Sequence, residues 1–310
     1  MKIKKVDPHV DIADMYKLFK YSQNDFFSDK DLPVTLNKIQ SCNISVIGLS
    51  LYFDKEFVET NYFDGVISFY KWYKELLKDS DAIQIVKTFD EIKDNTDIIS
   101  GFYSVEGFHC LRTPDDFDIL YEIGTRSFGM TWGHNNDYAA DRAGENTGLT
   151  KQGIELVKKM DNKKLFVDIA HLGEKSVTDL AQNFNGMILT THGNCRNVFH
   201  STHNLRDEEI EIIVERRGVV SLFPLSNDTG RNGTFAELYQ HAEYIGEKWG
   251  DEYIAISSDI YPLDEYPFLQ DYEDITVLNA IEDYFSQKMS KKTLQKIFHG
   301  NWMRVLEQTL

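Results

Sequence analysis

The sequence contains little cysteine, with three such residues among 310. An odd number of cysteines in a long chain implies no disulfide framework, and we expect a reducing compartment. Long apolar runs are also missing, and none approaches the roughly 18 residues of a membrane-spanning helix. The basic N-terminal residues are not followed by the apolar segment of a secretory signal. These absences predict a cytoplasmic protein without a membrane partner.

Positive charge is scarce as well. Lys and Arg number 33 against 50 Asp and Glu, which gives a formal net charge of -17. Such a charge disfavours binding to nucleic acid or to an anionic membrane surface. It is compatible with a small-molecule substrate and with the attraction of cations.

Apolar segments with the pattern of strands alternate with helical patterns along the chain. The predicted strands cover residues 3–6, 44–52, 97–105, 128–132, 164–170, 187–191, 219–223 and 253–258. Such alternation predicts a parallel sheet, and eight strands in about 260 residues are typical of a (β/α)8 barrel. Residues 83–87 are placed as an extra edge element between the second and third strands. A doubly wound sheet is the alternative, but no glycine-rich nucleotide-binding loop follows an early strand. We therefore expect residues 1–310 to form a single α/β domain, a (β/α)8 TIM barrel with C-terminal helices.

Residue types that bind metals occur where the active site of such a barrel is built. His9 and Asp11 follow the first strand, and a spacing of two puts both side chains on one side of an extended segment. Further candidates end later strands: Glu106, His171, His192 and Asp259. Because the carboxyl ends of all barrel strands converge on one mouth, we expect these six side chains to share one cavity.

Imidazole nitrogen and carboxylate oxygen suit a pair of divalent metals such as zinc, although other divalent ions could serve. Two ions about 3.5–4 Å apart need a bridging ligand, which Glu106 could supply. A water shared by two cations ionises near neutral pH and attacks a carbonyl carbon. Asp259 could then take and return the proton.

Seven segments resemble, in order, the motifs of one enzyme family. They are residues 6–12 (VDPHVDI), 105–111 (VEGFHCL), 148–153 (GLTKQG), 167–171 (VDIAH), 191–196 (THGNCR), 257–259 (SSD) and 300–305 (GNWMRV). With them the chain resembles the membrane dipeptidase (renal dipeptidase, peptidase family M19) metallopeptidases, within the amidohydrolase-like barrels. The resemblance covers nearly the whole chain and implies a barrel of the metal-dependent hydrolase type.

The resemblance also implies two zinc ions. It assigns His9 and Asp11 to one ion. It assigns His171 and His192 to the other, with Glu106 as the bridge between them.

The same resemblance makes Asp259 the proton shuttle and the group that holds the free amine of the substrate. The reaction implied is hydrolysis of the peptide bond of a dipeptide by a hydroxide between the metals, often with a D-residue at the C-terminal position. Family members often form homodimers, so a homodimer is expected here too.

Some positions depart from the family pattern. Trp132 follows the fourth strand where many members have a histidine that polarises the substrate carbonyl, and His134 could reach the same place. His203 stands where the family has an arginine that grips the substrate carboxylate. Imidazole cannot reproduce a bidentate guanidinium, although Arg206 or Arg196 could compensate.

The loop after the last strand also differs, since residues 259–262 read DIYP instead of DFDG. Two alternatives therefore remain open. One is a hydrolase of other small amides, acyl-amino acids, lactams or lactones on the same metal site. The other is a barrel that binds metal or a small ligand without catalysis.

Overall fold

Parallel strands alternate with helices throughout the part of the chain that the structure describes. The structure is a computed structural model, and it describes residues 2–28, 30–52, 62–94, 97–261 and 267–310. The strands are β1 (Lys5–Val10), β2 (Ile44–Ser50), β3 (Ile83–Ile85), β4 (Ile99–Glu106), β5 (Thr125–Gly129), β6 (Val167–Asp168), β7 (Ile188–Leu189), β8 (Val220–Leu222) and β9 (Ile254–Ile256). The helices are α1 (Ile12–Leu18), α2 (Leu36–Ser41), α3 (Tyr62–Leu77), α4 (Asp116–Ile123), α5 (Lys151–Asn162), α6 (Glu174–Asn183), α7 (Asp207–Glu215), α8 (Ser226–Thr229), α9 (Phe235–Lys248), α10 (Val277–Phe285), α11 (Lys291–Gln295) and α12 (Asn301–Thr309). Within these ranges, none of the helices has the length and apolar character that crossing a membrane would require.

The barrel is closed by pairing between strands and, at one junction, by a side-chain hydrogen bond. β1, β2, β4, β5, β6 and β7 pair in that order, and β8 pairs with β9, all in parallel. A parallel bridge between Thr190 and Val220 joins β7 to β8. Between β9 and β1, the Asp7 carboxylate accepts the amide hydrogen of Ser258 at 2.9 Å. The predicted (β/α)8 barrel is therefore confirmed, whereas the single-domain assignment stays a prediction.

Helix ends follow local sequence signals. The Thr150 hydroxyl accepts the amide hydrogen of Gly153 and starts α5. Thr234 and Glu237 form a reciprocal capping box at the start of α9. Gly124 ends α4 in the left-handed conformation, with φ of +112°, and the chain enters β5 directly.

Several strand boundaries differ from the predicted ones, and two of these differences lie next to candidate site residues. The first strand was expected over residues 3–6, but β1 continues to Val10, so His9 lies inside the strand. The reason is that β1 stays beside β2 up to the Val10–Leu49 pair, with an irregular stretch around Pro8, which has no amide hydrogen. The fourth strand was expected over residues 128–132, but β5 ends at Gly129.

The extra element is present, but it does not lie between the second and third barrel strands. β2 pairs directly with β4, and β3 pairs with β4 on the other side. Ser100 shows this arrangement, because it faces Val46 on one side and Gln84 on the other. β5 joins β4 only from Tyr103 onward, which leaves the first half of that edge for β3.

Apolar side chains close the amino end of the barrel. Trp302 on α12 is fully buried in a cluster with Val46 and Phe102 from the barrel strands. Its ring nitrogen donates a hydrogen bond to the Ser221 hydroxyl at 3.1 Å. With one end closed by this packing, polar side chains are left to line the carboxyl end.

A buried histidine ties α9 to the loops that follow β7 and β8. His241 Nδ1 accepts the amide hydrogen of Cys195 at 3.0 Å, and its Nε2–H donates to the Thr229 carbonyl at 2.8 Å. Burial lowers the pKa of His241 to about 4, and the Thr229 hydrogen bond only partly opposes this. The neutral imidazole is therefore part of the folded structure at neutral pH.

We expect His241 to make the fold sensitive to acid. Unfolded chains bind a proton on histidine below about pH 6.5, whereas folded His241 does so only near pH 4. Its contribution to the free energy of unfolding should therefore fall by about 3 kcal/mol as the pH drops through this window. Urea denaturation of the parent and of His241→Gln between pH 4 and 7 measures this contribution, as the difference in the free energy of unfolding between the two proteins.

The comparison with His241→Gln is needed because another group makes the free energy of unfolding change with pH in the opposite direction. Burial raises the pKa of Asp7 to about 6, so that carboxyl destabilises the fold as the pH rises through the same range. Both proteins retain Asp7, and its effect cancels. If the difference in the free energy of unfolding between the two proteins stays constant from pH 4 to 7, the role given to His241 is contradicted.

Candidate metal centre

Six polar side chains meet at the carboxyl end of the barrel. They are His9, Asp11, Glu106, His171, His192 and Asp259. Their nitrogen and oxygen atoms form three overlapping groups, and within each group the ligand atoms lie within 4.8 Å of one another. The structure thus brings together every residue that the sequence proposed as a metal ligand or proton carrier.

The first group consists of His9, Asp11 and Glu106. His9 Nε2 lies 3.6 Å from Asp11 Oδ2 and 3.5 Å from Glu106 Oε2. These separations are close to the about 3.3 Å expected between two ligands that share a tetrahedral zinc ion. Among the described residues, neither ring nitrogen of the buried His9 has a hydrogen-bond partner, and Asp11 Oδ1 has none. Since buried polar atoms are normally satisfied, these atoms fit a bound cation.

The second group lies on the other side of the same glutamate. Glu106 Oε1 is 3.1 Å from His171 Nε2 and 3.4 Å from His192 Nε2. The two Nε2 atoms are 3.0 Å apart. The two oxygens of Glu106 therefore face different groups of imidazoles, as a bridging carboxylate requires.

Asp259 completes the third group with His9 and His192. Its Oδ1 lies 3.7 Å from His192 Nδ1, and its side chain is 16% exposed. Burial raises the pKa of Asp259, although the charges of His192 and His9 oppose this. Asp259 and His171 both have a positive φ, of 46° and 61°, which is uncommon for residues with a side chain and frequent at functional sites.

The centre attracts positive charge. Burial alone would lower the pKa of His9, but the carboxylates of Asp11 and Glu106 raise it well above its ordinary value. For His192, burial is likewise outweighed, and Asp259 and Glu106 raise the pKa to about 9. The same carboxylates would favour divalent cations, which compete with protons for these imidazoles.

The turn after β4 fixes the direction of Glu106. Gly107 has φ of +92°, and a β carbon there would lie 2.3 Å from His109 Nδ1. The amide hydrogen of Phe108 bonds to the Met130 carbonyl at 2.9 Å. Only glycine fits between Glu106 and the ring of His109, which packs on this turn.

Trp132 and His134 lie in different surroundings. The half-buried Trp132 ring has its centroid 4.6 Å from that of Tyr52 and 6.2 Å from that of His171, which places it at the mouth. His134 is exposed, and its ring packs against His109 at 5.4 Å. His134 belongs to none of the three ligand groups.

His203 faces the centre with support from Asp228, which no sequence motif indicated. Its ring centroid lies 5.4 Å from that of His171, and its Nδ1 is 3.3 Å from Asp228 Oδ2. The Asp228 hydrogen bond raises the pKa of His203 against the effect of burial. Asp228 also accepts a hydrogen bond from the Ser201 hydroxyl. Asp228 precedes α9 in a polar stretch without strand or helix periodicity, so no sequence signal pointed to it.

The arginines near the mouth are already paired. Arg196 Nη1 and Arg206 Nη1 lie 2.7 and 3.2 Å from the two oxygens of Glu174. The buried Arg142 donates to Glu209 at 2.7 Å, and its amide hydrogen bonds to the His171 carbonyl at 2.7 Å.

Some of these groups border a cavity of about 240 Å³. Arg142, Glu174, Arg196 and Thr202 are among the residues that line it. The loop after Asp259 is described only to Tyr261, and Pro262 lies outside the described residues.

Known proteins share this sequence and this fold. Dipeptidase tcpJ of Claviceps purpurea (strain 20.1) is 23% identical over 217 residues, which cover 67% of this chain and 51% of that protein. Dipeptidase 3 of Mus musculus is 24% identical over 238 residues, which cover 73% of this chain and 48% of that protein. The match thus spans about half the length of these curated relatives.

A solved structure and a family model extend the comparison to the whole chain. A metallopeptidase of Rhodobacter sphaeroides, liganded with a phosphinate mimic of the dipeptide L-Ala-D-Ala, superposes with a TM-score of 0.90 at 18% identity, over 100% of both chains. This likeness shows the fold. The family model described as membrane dipeptidase (peptidase family M19) matches residues 1–310. The chain therefore belongs to the membrane dipeptidase family, peptidase family M19.

Proposed function

We propose that this protein is a dinuclear zinc dipeptidase that hydrolyses the peptide bond of dipeptides. One observation carries the proposal: the two oxygens of Glu106 face two separate groups of ligands, with His9 on one side and His171 and His192 on the other. Membership of a metallopeptidase family supports the same reading.

The ligands divide naturally between two ions. His9 and Asp11 would hold one ion, His171 and His192 the other, and Glu106 both. These donors are nitrogen and oxygen, which suit zinc, while manganese or cobalt could also fill such a site. When bound, the ions would polarise the scissile carbonyl and lower the pKa of a water at the centre.

We assign to Asp259 the transfer of the proton and the binding of the substrate amine. It lies beside His9 and His192 but outside the two groups that contain Glu106. A carboxylate at this position could accept a proton from the attacking water and return it to the leaving nitrogen. It could also accept a hydrogen bond from the free amine of a dipeptide.

A cavity of about 240 Å³ lined by guanidinium and carboxylate groups is a candidate site for the C-terminal residue of the substrate. The Rhodobacter sphaeroides metallopeptidase is liganded with a mimic of L-Ala-D-Ala, which makes a C-terminal D-residue a natural candidate here.

A hydrolase of other amides, acyl-amino acids or lactams is the second candidate. It is favoured by the charges near the mouth, because Arg196 and Arg206 are both paired with Glu174. A substrate carboxylate would then meet the imidazole of His203 instead of a free guanidinium. A barrel that binds metal without catalysis is the remaining alternative. A homodimer and a cytoplasmic location stay predictions.

Loss of the bridging charge should disrupt both metal sites. We expect Glu106→Gln to retain fewer than two equivalents of zinc and to lose more than about 100-fold in activity. This loss is larger than the loss caused by removing a residue that only hydrogen-bonds to a metal ligand. Elemental analysis of the purified protein and L-Ala-L-Ala hydrolysis measure these effects. Glu155→Gln, an exposed change on α5, is the matched control. Full zinc content in Glu106→Gln would contradict the bridging role.

Loss of the proton carrier should separate binding from chemistry. We expect Asp259→Asn to keep two equivalents of zinc while kcat falls by about 100- to 10,000-fold, the usual effect of a general acid–base group. Metal content and steady-state kinetics of the same preparation test this. If the variant loses zinc in parallel with activity, Asp259 is a ligand and not a proton carrier.

A substrate panel decides between the two candidate functions. We expect chelator-sensitive cleavage of L-Ala-L-Ala and L-Ala-D-Ala, with weaker cleavage of their C-terminal amides and of N-acetyl-alanine. Released amino acids can be quantified by chromatography. Equal cleavage of free and amidated dipeptides would favour the second candidate, and a zinc-loaded protein inactive on the whole panel would favour the non-catalytic barrel.

A further inference from the structure

A buried carboxylate outside the metal centre touches the segments that carry both histidines of the second group. Asp168 is the last residue of β6 and is only 3% exposed. Its Oδ1 accepts the amide hydrogens of Ala170 and Thr191, each at 3.0 Å. Its Oδ2 accepts the hydrogen of the Thr191 hydroxyl. One side chain therefore holds the residue before His171 and the residue before His192.

The Thr191 hydroxyl links this carboxylate to the His192 ring. Thr191 Oγ1 lies 3.1 Å from His192 Nδ1. A hydroxyl has a single hydrogen, and here it is donated to Asp168, so Oγ1 can only accept from Nδ1–H. The hydrogen of neutral His192 then lies on Nδ1, and the lone pair of Nε2 faces Glu106 and His171. This is the tautomer that a metal at Nε2 requires.

His171 needs local support for a different reason. Its φ of +61° is unusual for a residue with a β carbon. The turn that contains it is held by the Asp168–Ala170 hydrogen bond and by the bond from the Arg142 amide to the His171 carbonyl. Together these bonds keep the imidazole of His171 directed at Glu106.

The strand pairing at this point is short. β6 and β7 pair at Val167–Ile188 and Asp168–Leu189, and the amide hydrogens of Val167 and Ile169 bond to the carbonyls of Met187 and Leu189. Beyond these, the Asp168 side chain continues the connection between the two strand ends through Thr191.

We propose that Asp168 and Thr191 form a positioning pair that sets the orientation of His171 and His192 and the tautomer of His192, and thereby the affinity of the second metal site. This role rests on the proposed function for its catalytic consequence, but metal affinity reports on it directly. Partners of this kind raise the basicity of a ligating imidazole and fix its orientation.

The test compares Thr191→Val, Thr191→Ser and Asp168→Asn in the full chain. We expect Thr191→Val to bind one of two zinc ions about 10- to 100-fold more weakly, in titrations against a zinc chelator, because the acceptor of Nδ1–H is lost. Thr191→Ser retains the hydroxyl and should keep the parent affinity at both sites. Asp168→Asn should weaken the same single ion.

The matched control is Thr125→Val. Thr125 is also a buried threonine at a barrel strand, and among the described residues its hydroxyl has no hydrogen-bond partner. The same change of shape there should leave both zinc affinities unchanged. Thermal unfolding of all variants in excess chelator measures stability separately from metal binding.

Two results would overturn the positioning pair. One is parent-like zinc affinity in Thr191→Val. The other is a loss in Thr191→Val no larger than in Thr125→Val, which would indicate a general packing effect. If the parent binds two zinc ions but cleaves no dipeptide, the proposed function fails, while the zinc titrations still decide the role of Asp168 and Thr191.

Discussion

The constraint on which this molecule depends is the burial of several carboxylates among imidazoles at one end of a barrel. Ionised carboxylates are costly to remove from water unless positive charge compensates them. Here Asp11 and Glu106 are each at most 8% exposed, and both lie within 3.6 Å of an imidazole nitrogen. Asp11 and Glu106 raise the pKa of His9, and Asp259 and Glu106 raise the pKa of His192, so the centre favours cations. Divalent metals satisfy the same demand, and a chain with a net charge of -17 draws them in.

The barrel supports this centre with carboxylates that connect strand ends as well as with backbone pairing. Asp7 on β1 holds Ser258, one residue before Asp259. Asp168 on β6 holds Thr191, one residue before His192. In both cases a side chain of one strand bonds to the backbone just after the neighbouring strand, at a point where the regular ladder is short or missing. Meanwhile Trp302 fills the opposite end, so the rigid packing and the polar site occupy separate ends of the barrel.

The sequence predicted the barrel and the six clustered residues because both follow from local patterns. Apolar segments mark the strands, and the fold brings their carboxyl ends together. It could not reveal Asp168, Thr191 or Asp228 as supporting residues, because their roles depend on hydrogen bonds across the barrel. The end of β1 was missed because Pro8 interrupts a strand pattern that the neighbour β2 nevertheless continues. β3 lies along the same edge of β4 as β5, because β5 pairs only with the second half of β4. No local sequence pattern indicates this arrangement.

Charge pairing at the mouth bears on which substrates the centre can take. Glu174 is shared by Arg196 and Arg206, and Glu209 is bound to the buried Arg142. A substrate carboxylate would have to compete with Glu174 for either of these half-buried guanidinium groups, and Glu174 would then be left partly unpaired. His203 is already oriented by Asp228 and adjoins His171, so it can donate a hydrogen bond without breaking any ion pair. Under the proposed function, the C-terminal end of a substrate would therefore meet the His203 imidazole, whose charge is offset by Asp228, instead of an unpaired arginine.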